Sequence, residues 1–92
     1  MARVVAFVDI FVESPMMDYV LGALKELPNL EELCEVTGES DIVSVISAAD
    51  IEEFRDTLKN KIMKIKGVRS TATSIVLRSH KGPRNNGNPA QV

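Results

Sequence analysis

The most informative segment of this 92-residue chain is residues 3–12, RVVAFVDIFV. Valine, isoleucine and phenylalanine dominate it, and such β-branched and aromatic residues favour an extended strand over a helix. Because side chains alternate between the two sides of a strand, the segment predicts two faces that are both largely apolar. The first face would carry Val4, Ala6, Val8, Ile10 and Val12, and the second would carry Val5, Phe7, Asp9 and Phe11.

Two helices are predicted further along the chain. Ser14-Pro15 is typical of a helix start, with serine as the N-cap and proline in the first helical position. Asp50 and Glu53 have the spacing of a capping box for the second helix, and Gly67 is expected to end it. Apolar residues recur every three or four positions in each helix, which predicts one buried face per helix. These faces are Met17, Val20, Leu21, Leu24 and Leu27 in the first helix, and Ile51, Phe54, Leu58, Ile62 and Ile65 in the second.

Three more strands are predicted at residues 30–37, 42–48 and 68–78. The first two flank a short connection that contains Gly38, so they are expected to pair as a hairpin. Cys34, in the earlier of these strands, is expected to be a small buried apolar residue.

The resulting order of strand, helix, strand, strand, helix, strand predicts an α+β domain of the ferredoxin-like βαββαβ type. Short connections and right-handed crossovers favour a four-stranded antiparallel sheet with both helices on one face. This domain is expected to span residues 1–79. Residues 80–92 contain Gly, Pro and Asn without apolar periodicity, and are expected to form a flexible C-terminal tail.

The second apolar face of the sheet predicts association. Two short helices cover only one side of a sheet, and soluble monomers rarely expose a large apolar patch. Packing against an identical subunit about a two-fold axis would cover the other side. The alternative is that a few aliphatic residues simply lie on an open, solvated face.

The charge, the apolar runs and the cysteine count limit the kinds of function to expect. The net charge of −2 and a pI near 5.3 give no overall attraction to nucleic acid or to anionic membranes. No apolar run approaches the length of a membrane span. Cys34 is the only cysteine, which fits a reducing cytoplasm. A cytoplasmic globular protein is therefore expected.

Four segments in order along the chain resemble the effector-binding domain of the Lrp/AsnC, or feast/famine, transcription regulators. They are ALKELP at residues 23–28, EVTGESD at 35–41, DIEEF at 50–54 and IKGVRSTATS at 65–74. The resemblance implies a ferredoxin-like protomer, homodimers that form a dimeric α+β barrel by sheet packing, and further assembly into octamers or rings. It also implies an amino-acid effector that is bound where dimers meet.

The same resemblance implies which residues would bind an effector. Gly38, Glu39, Ser40 and Asp41 match the family loop between the second and third strands, in which Asp41 would meet the ammonium group of an amino acid. Val36 precedes this loop. The other expected ligand-binding residues, from a hydroxyl-rich part of the last strand, are Thr71, Thr73 and Ser74. The alternative is a plain hairpin turn followed by a solvent-facing row of hydroxyls.

These observations lead to a non-catalytic, oligomeric amino-acid sensor of the regulator type, with neither cofactor nor metal. His80 is the only histidine and lies near the chain end, which disfavours both a metal site and a catalytic grouping. Full-length family members carry a helix-turn-helix, whereas this chain starts with its first strand. Direct DNA binding is therefore not expected, and one expected mode of action is mixed assembly with full-length Lrp/AsnC regulators that share its sheet interface. The alternatives are a small enzyme of the dimeric α+β barrel type and a ligand-free structural assembly partner.

Overall fold

The computed structural model describes residues 3–82, and its elements follow the predicted order. The four strands are β1 (Val4–Val12), β2 (Leu30–Glu35), β3 (Ile42–Ala48) and β4 (Val68–Ile75). They form one sheet in the order β2-β3-β1-β4, and each neighbouring pair is antiparallel. The helices are α1 (Met17–Leu24) and α2 (Ile51–Asp56). The predicted ferredoxin-like α+β fold is therefore confirmed.

One face of the sheet builds the core together with both helices. Ala6, Val8 and Ile10 of the central strand β1 are completely buried. The rest of the core cluster comes from β3 and from the apolar faces of the two helices, and includes Val20, Leu24, Ile42, Ile46, Phe54 and Ile62. The alternation predicted for residues 3–12 is confirmed, because the residues of the first predicted face are those that pack against the helices.

The start of α1 differs from the prediction. Ser14 does not cap the helix but is the first residue of a 3-10 turn, Ser14–Met16, that leads into α1. The turn follows Glu13, whose backbone is extended and whose carbonyl oxygen accepts a hydrogen bond of 2.7 Å from the Met16 N–H. A backbone bond thus satisfies a donor that a serine hydroxyl was expected to satisfy.

The second helix begins as predicted and changes its winding halfway. Asp50 Oδ1 accepts a hydrogen bond of 2.8 Å from the Glu53 N–H, which confirms the N-cap. After Asp56 the chain continues as a π-helix, Thr57–Ile62, in which the Met63 N–H donates to the Leu58 carbonyl oxygen. Such segments insert one extra residue per turn. The insertion lets Thr57 and Ile62, five residues apart, both face the core.

Gly67 brings the end of this helical segment close to α1. Its φ of +102° is in the left-handed region that favours glycine. A Cβ atom at this position would lie 2.6 Å from the Met16 Cβ and 3.0 Å from Val20 Cγ2. The Gly67 carbonyl oxygen also accepts a hydrogen bond of 2.9 Å from the Glu13 N–H, so this glycine joins the start of β4 to the end of β1.

The two edge strands differ from the sequence-based predictions in length and in the burial of Cys34. β2 and β4 are shorter than predicted, ending at Glu35 and Ile75. The prediction that Cys34 is buried is wrong, because it lies exposed on edge strand β2, on the side of the sheet away from the helices.

Most of the predicted tail, residues 83–92, lies outside the described residues. No helix within residues 3–82 is both long and apolar enough to cross a membrane.

Candidate functional site

The loop between β2 and β3, residues 36–41, projects from one end of the sheet. Its ends are joined by a hydrogen bond of 3.0 Å from the Val36 N–H to the Asp41 carbonyl oxygen. Gly38 has a φ of +121°, and nothing lies within 4 Å of the position that a Cβ would take. Glycine is therefore required here by the backbone conformation of the turn and not by a close neighbour.

Asp41 ties this loop to the central strand. Its Oδ2 accepts a hydrogen bond of 2.8 Å from the Val12 N–H, and its own N–H donates to the Ile10 carbonyl oxygen at 3.1 Å. The register between β1 and β4 shifts between Phe11 and Val12, so the Val12 N–H is at an irregular point of the ladder. Asp41 thus positions the loop, while its Oδ1 has no hydrogen-bond partner within residues 3–82.

The tip of the loop presents free backbone donors. In the described part of the chain, the N–H groups of Gly38, Glu39 and Ser40 donate no hydrogen bond. Glu39 is exposed and Ser40 is half-buried. Consecutive free N–H groups on an exposed turn are suited to accept an anionic group such as a carboxylate.

The three hydroxyl residues of β4 do not share one surface. Thr71 pairs with Ile10 and Thr73 pairs with Val8, so both lie on the helix side of the sheet. Ser74 pairs with Phe7 and lies on the opposite side.

Distance also separates the loop from the far end of β4. β3 and β4 flank β1 on opposite sides, so they lie about 10 Å apart. Ile42, next to Asp41, is level with Ile10, whereas Ser74 is level with Phe7. Three residues of strand add about 10 Å along the sheet. A single subunit therefore does not bring Ser74 to the loop.

The side of the sheet away from the helices, termed the open face, carries a mixed surface. Phe7 is 37% exposed, and Phe11 and Val43 are half-buried. The residues of the open face, grouped by strand, are Glu32 and Cys34; Val43, Val45 and Ser47; Val5, Phe7, Asp9 and Phe11; and Ser70, Ala72 and Ser74. The middle strands contribute mainly apolar side chains together with Asp9 and Ser47, whereas the outer strands contribute hydroxyls, the thiol, Ala72 and the Glu32 carboxylate.

A row of hydrogen-bonded polar side chains at one end of the open face was not predicted from the sequence. Arg3 Nη2 donates to Ser47 Oγ at 2.7 Å, and this hydroxyl donates to Glu31 Oε2 at 2.6 Å. Ser47 is only 3% exposed. The alternation of side chains places Arg3 and Ser47 on the same side of the sheet. That signal could have suggested the contact, but the pairing register was needed to bring the residues together.

Other chemistry is sparse in the described residues. Among residues 3–82, no three His, Cys, Asp or Glu side chains are arranged to hold a metal ion. Helix α2 and the π-helix that follows it, residues 51–62, form the second helical segment. A shallow charged depression on its exposed side is lined by Glu52, Arg55, Asp56, Lys59 and Asn60. Its members bond to each other, since Asn60 donates to Asp56 at 2.7 Å and Arg55 lies 4.0 Å from Glu52. This is the pattern of a solvated helix surface.

Comparison with known proteins bears on the loop and on the open face. The family model of the Lrp/AsnC ligand binding domain matches residues 5–85. An HTH-type transcriptional regulator of Pyrococcus abyssi is 37% identical over 74 residues, which are 80% of this chain and 47% of the regulator. The chain thus spans about half the length of the curated relatives it matches.

Solved structures of two regulators have a domain with the same fold as this chain. E. coli AsnC superimposes with a TM-score of 0.80 at 30% identity, covering 83% of this chain and 52% of AsnC. The transcriptional regulator NMB0573 of Neisseria meningitidis, in complex with L-Met, superimposes with a TM-score of 0.81 at 18% identity. That match covers 86% of this chain and 53% of the regulator, and at this identity it supports the fold alone.

Proposed function

This chain belongs to the Lrp/AsnC ligand-binding domain family, and from that premise we propose that it is a non-catalytic, oligomeric effector-binding module whose effector is a free amino acid. The observation that carries the proposal is the loop at residues 36–41, which combines the free N–H donors of Gly38, Glu39 and Ser40 with a carboxylate oxygen. An amino acid is a zwitterion, and it needs donors at one end and an acceptor at the other.

The loop supplies both ends of such a site. The N–H groups of Gly38, Glu39 and Ser40 would hold the effector carboxylate, and Asp41 Oδ1 would accept from its ammonium group. Val36, 37% exposed beside the loop, would contact an apolar part of the effector. The hydrogen bond from Val12 keeps Asp41 in place before the effector arrives, which lowers the cost of ordering the site.

The hydroxyls of β4 would join the site from another subunit. Thr71, Thr73 and Ser74 divide between the two sides of the sheet, and Ser74 is remote from the loop of its own subunit. Assembly of dimers into an octamer or ring would bring a second copy of these residues near the loop. The L-Met complex of the Neisseria regulator supports a small-molecule effector for this fold.

The open face supports the assembly itself. Phe7, Phe11 and Val43 form an apolar surface that a second copy of this face would cover. Longer relatives contain the same domain in about half of their length, so mixed assembly with such regulators is part of the proposal.

Two alternatives remain: an enzyme of the dimeric α+β barrel type and a ligand-free assembly partner. The Pyrococcus abyssi relative is named an HTH-type transcriptional regulator, which supports the effector-binding role over catalysis. Effector binding itself separates the proposal from the ligand-free partner.

The test is calorimetric titration of the full chain with each of the twenty amino acids, combined with light scattering. At least one amino acid should bind, and it should change the assembly size. Asp41→Asn keeps an oxygen for the Val12 N–H but removes the charge, so affinity should fall about tenfold or more with the fold intact. Asp56→Asn, on the exposed helix surface, is the matched control and should bind normally. Absence of binding at millimolar concentrations of every amino acid would refute the proposal.

A further inference from the structure

Asp9 lies in the middle of the open face. It pairs with Val43 on one side and Ala72 on the other, and the period of a strand places Phe7 and Phe11 before and after it on the same face. Its side chain is half-buried in the single subunit. Within residues 3–82, its carboxylate has neither a hydrogen bond nor an ion pair.

No cation compensates Asp9 from its own strand or from β4. Arg3 is on the same side but six residues away along β1, about 20 Å, and it already donates to Ser47. On β4, the open face presents two serines around Ala72. Arg69 is the unpaired residue at the point where the register between β1 and β4 shifts, near the start of β4. It forms no ion pair with Asp9.

The other charged groups that the strands place on or beside this side of the sheet are acids, whereas Arg78, His80 and Lys81 follow β4 beyond its last residue, Ile75. Glu31 and Glu32 belong to edge strand β2, two strands away from Asp9. Asp41 lies beyond Val43 and accepts from the Val12 N–H. The helices pack on the opposite side, so their lysines do not face Asp9. The centre of the open face is therefore apolar, hydroxyl-bearing and acidic.

Resting on the face-to-face assembly proposed above, we infer that Asp9 makes the pairing of two open faces depend on proton uptake. In a two-fold pair the same surface is present on both sides, so Asp9 of each copy is covered by that cation-poor set of side chains. Covering a carboxylate without a cation penalises its charged form and favours the protonated one. The paired state then holds more protons than the two separate subunits.

The sign of the pH dependence follows from this difference. Because the paired state binds more protons, its association constant rises as the pH falls and declines as the pH rises toward neutrality. Each covered carboxyl group contributes up to about a tenfold change per pH unit, and a pair contains two such groups. Asp9 thus tunes the same interface that Phe7 and Phe11 make apolar.

The experiment is sedimentation equilibrium on the full chain between pH 5 and pH 8, for the natural protein, Asp9→Asn and Asp9→Ser. Circular dichroism establishes that each variant is folded. The natural protein should pair at least about tenfold more tightly at pH 5 than at pH 8. Both neutral variants should pair tightly throughout, with a change below about threefold. Glu35→Gln is the matched control: it removes an exposed carboxylate from the helix side of β2, and should keep the natural dependence.

Four results would overturn the inference. The variants could retain the pH dependence of the natural protein, or the natural protein could pair with no pH dependence while remaining a dimer. Pairing that weakens on acidification would instead indicate an ion pair between Asp9 and a cation of the other subunit. A monomer at every pH for all variants would overturn the assembly proposal as well, which distinguishes the two failures.

Discussion

The two faces of one sheet obey different rules in this protein. On the helix side, Ala6, Val8 and Ile10 of β1 are fully buried against α1 and the second helical segment. On the open face, Phe7 of the same strand is 37% exposed, and the carboxylate of the nearby Asp9 has neither a hydrogen bond nor an ion pair within residues 3–82. Each face receives every second residue of the same strand.

The difference shows how one strand serves both folding and association. A sealed apolar face contributes its burial free energy within the subunit, so changes there are expected to alter folding. A face that mixes phenylalanine, hydroxyls and a carboxylate gains less within the subunit and is suited to adjustable contacts between subunits. Of the three substitutions below, Ile10→Ala and Phe7→Ala separate these roles, and Gly67→Ala tests the junction before β4. They are given in order of decreasing expected effect.

Ile10→Ala should give the largest effect, on the helix side of β1. The side chain is completely buried, so truncation leaves a cavity and should lower the free energy of unfolding by about 2 to 5 kcal/mol. Urea denaturation at one fixed protein concentration measures this change, because assembly would otherwise shift the apparent stability. A loss below about 1 kcal/mol would contradict the view that this face controls folding.

Gly67→Ala should follow, at the junction of the second helical segment with β4. An alanine would be strained at a φ of +102°, and its Cβ would clash with the Met16 Cβ at 2.6 Å. We expect a loss of about 2 to 3 kcal/mol in unfolding free energy. Gly22→Ala is the matched control, since nothing lies within 4 Å of its Cβ position and it is in helix α1, where alanine should stabilise by about 0.5 to 1 kcal/mol. Equal effects of the two substitutions would contradict the steric argument.

Phe7→Ala should have the smallest effect on folding and act mainly on assembly. The ring is partly exposed in the single subunit, so the unfolding free energy of the subunit should change by less than about 1.5 kcal/mol. The association constant should fall about tenfold or more if Phe7 is a central contact of the pair. Sedimentation measures the second quantity. A variant that pairs as tightly as the natural protein would remove the open face from the interface.

Much of this fold follows from short-range patterns in the sequence. The alternation in residues 3–12 predicted which side of β1 faces the helices, and the spacing of Asp50 and Glu53 predicted the cap of α2. The order of elements was then enough for the ferredoxin-like arrangement, because short connections leave few topologies open. These patterns depend only on residues close together in the sequence, so they can be recognised without knowing which strands pair.

The candidate site was less accessible from the sequence. The resemblance pointed to residues 36–41, but no local pattern indicates that Asp41 accepts a hydrogen bond from the Val12 N–H or that the N–H groups at the tip of the loop stay free. The same resemblance grouped Thr71, Thr73 and Ser74, whereas the strand register divides them between two sides of the sheet. Their roles in effector binding stay predictions.

Periodicity along the chain thus sufficed for the elements, their order and the inward face of β1, since each depends on residues only a few positions apart. Only the strand pairing shows that Cys34 is exposed at a sheet edge and that Arg3, Ser47 and Glu31 are joined by hydrogen bonds. It also shows that the Asp9 carboxylate has no ion pair within residues 3–82. The physical reason is that edge position and cross-strand register join residues that are far apart in the chain, and sequence spacing carries no information about such distances.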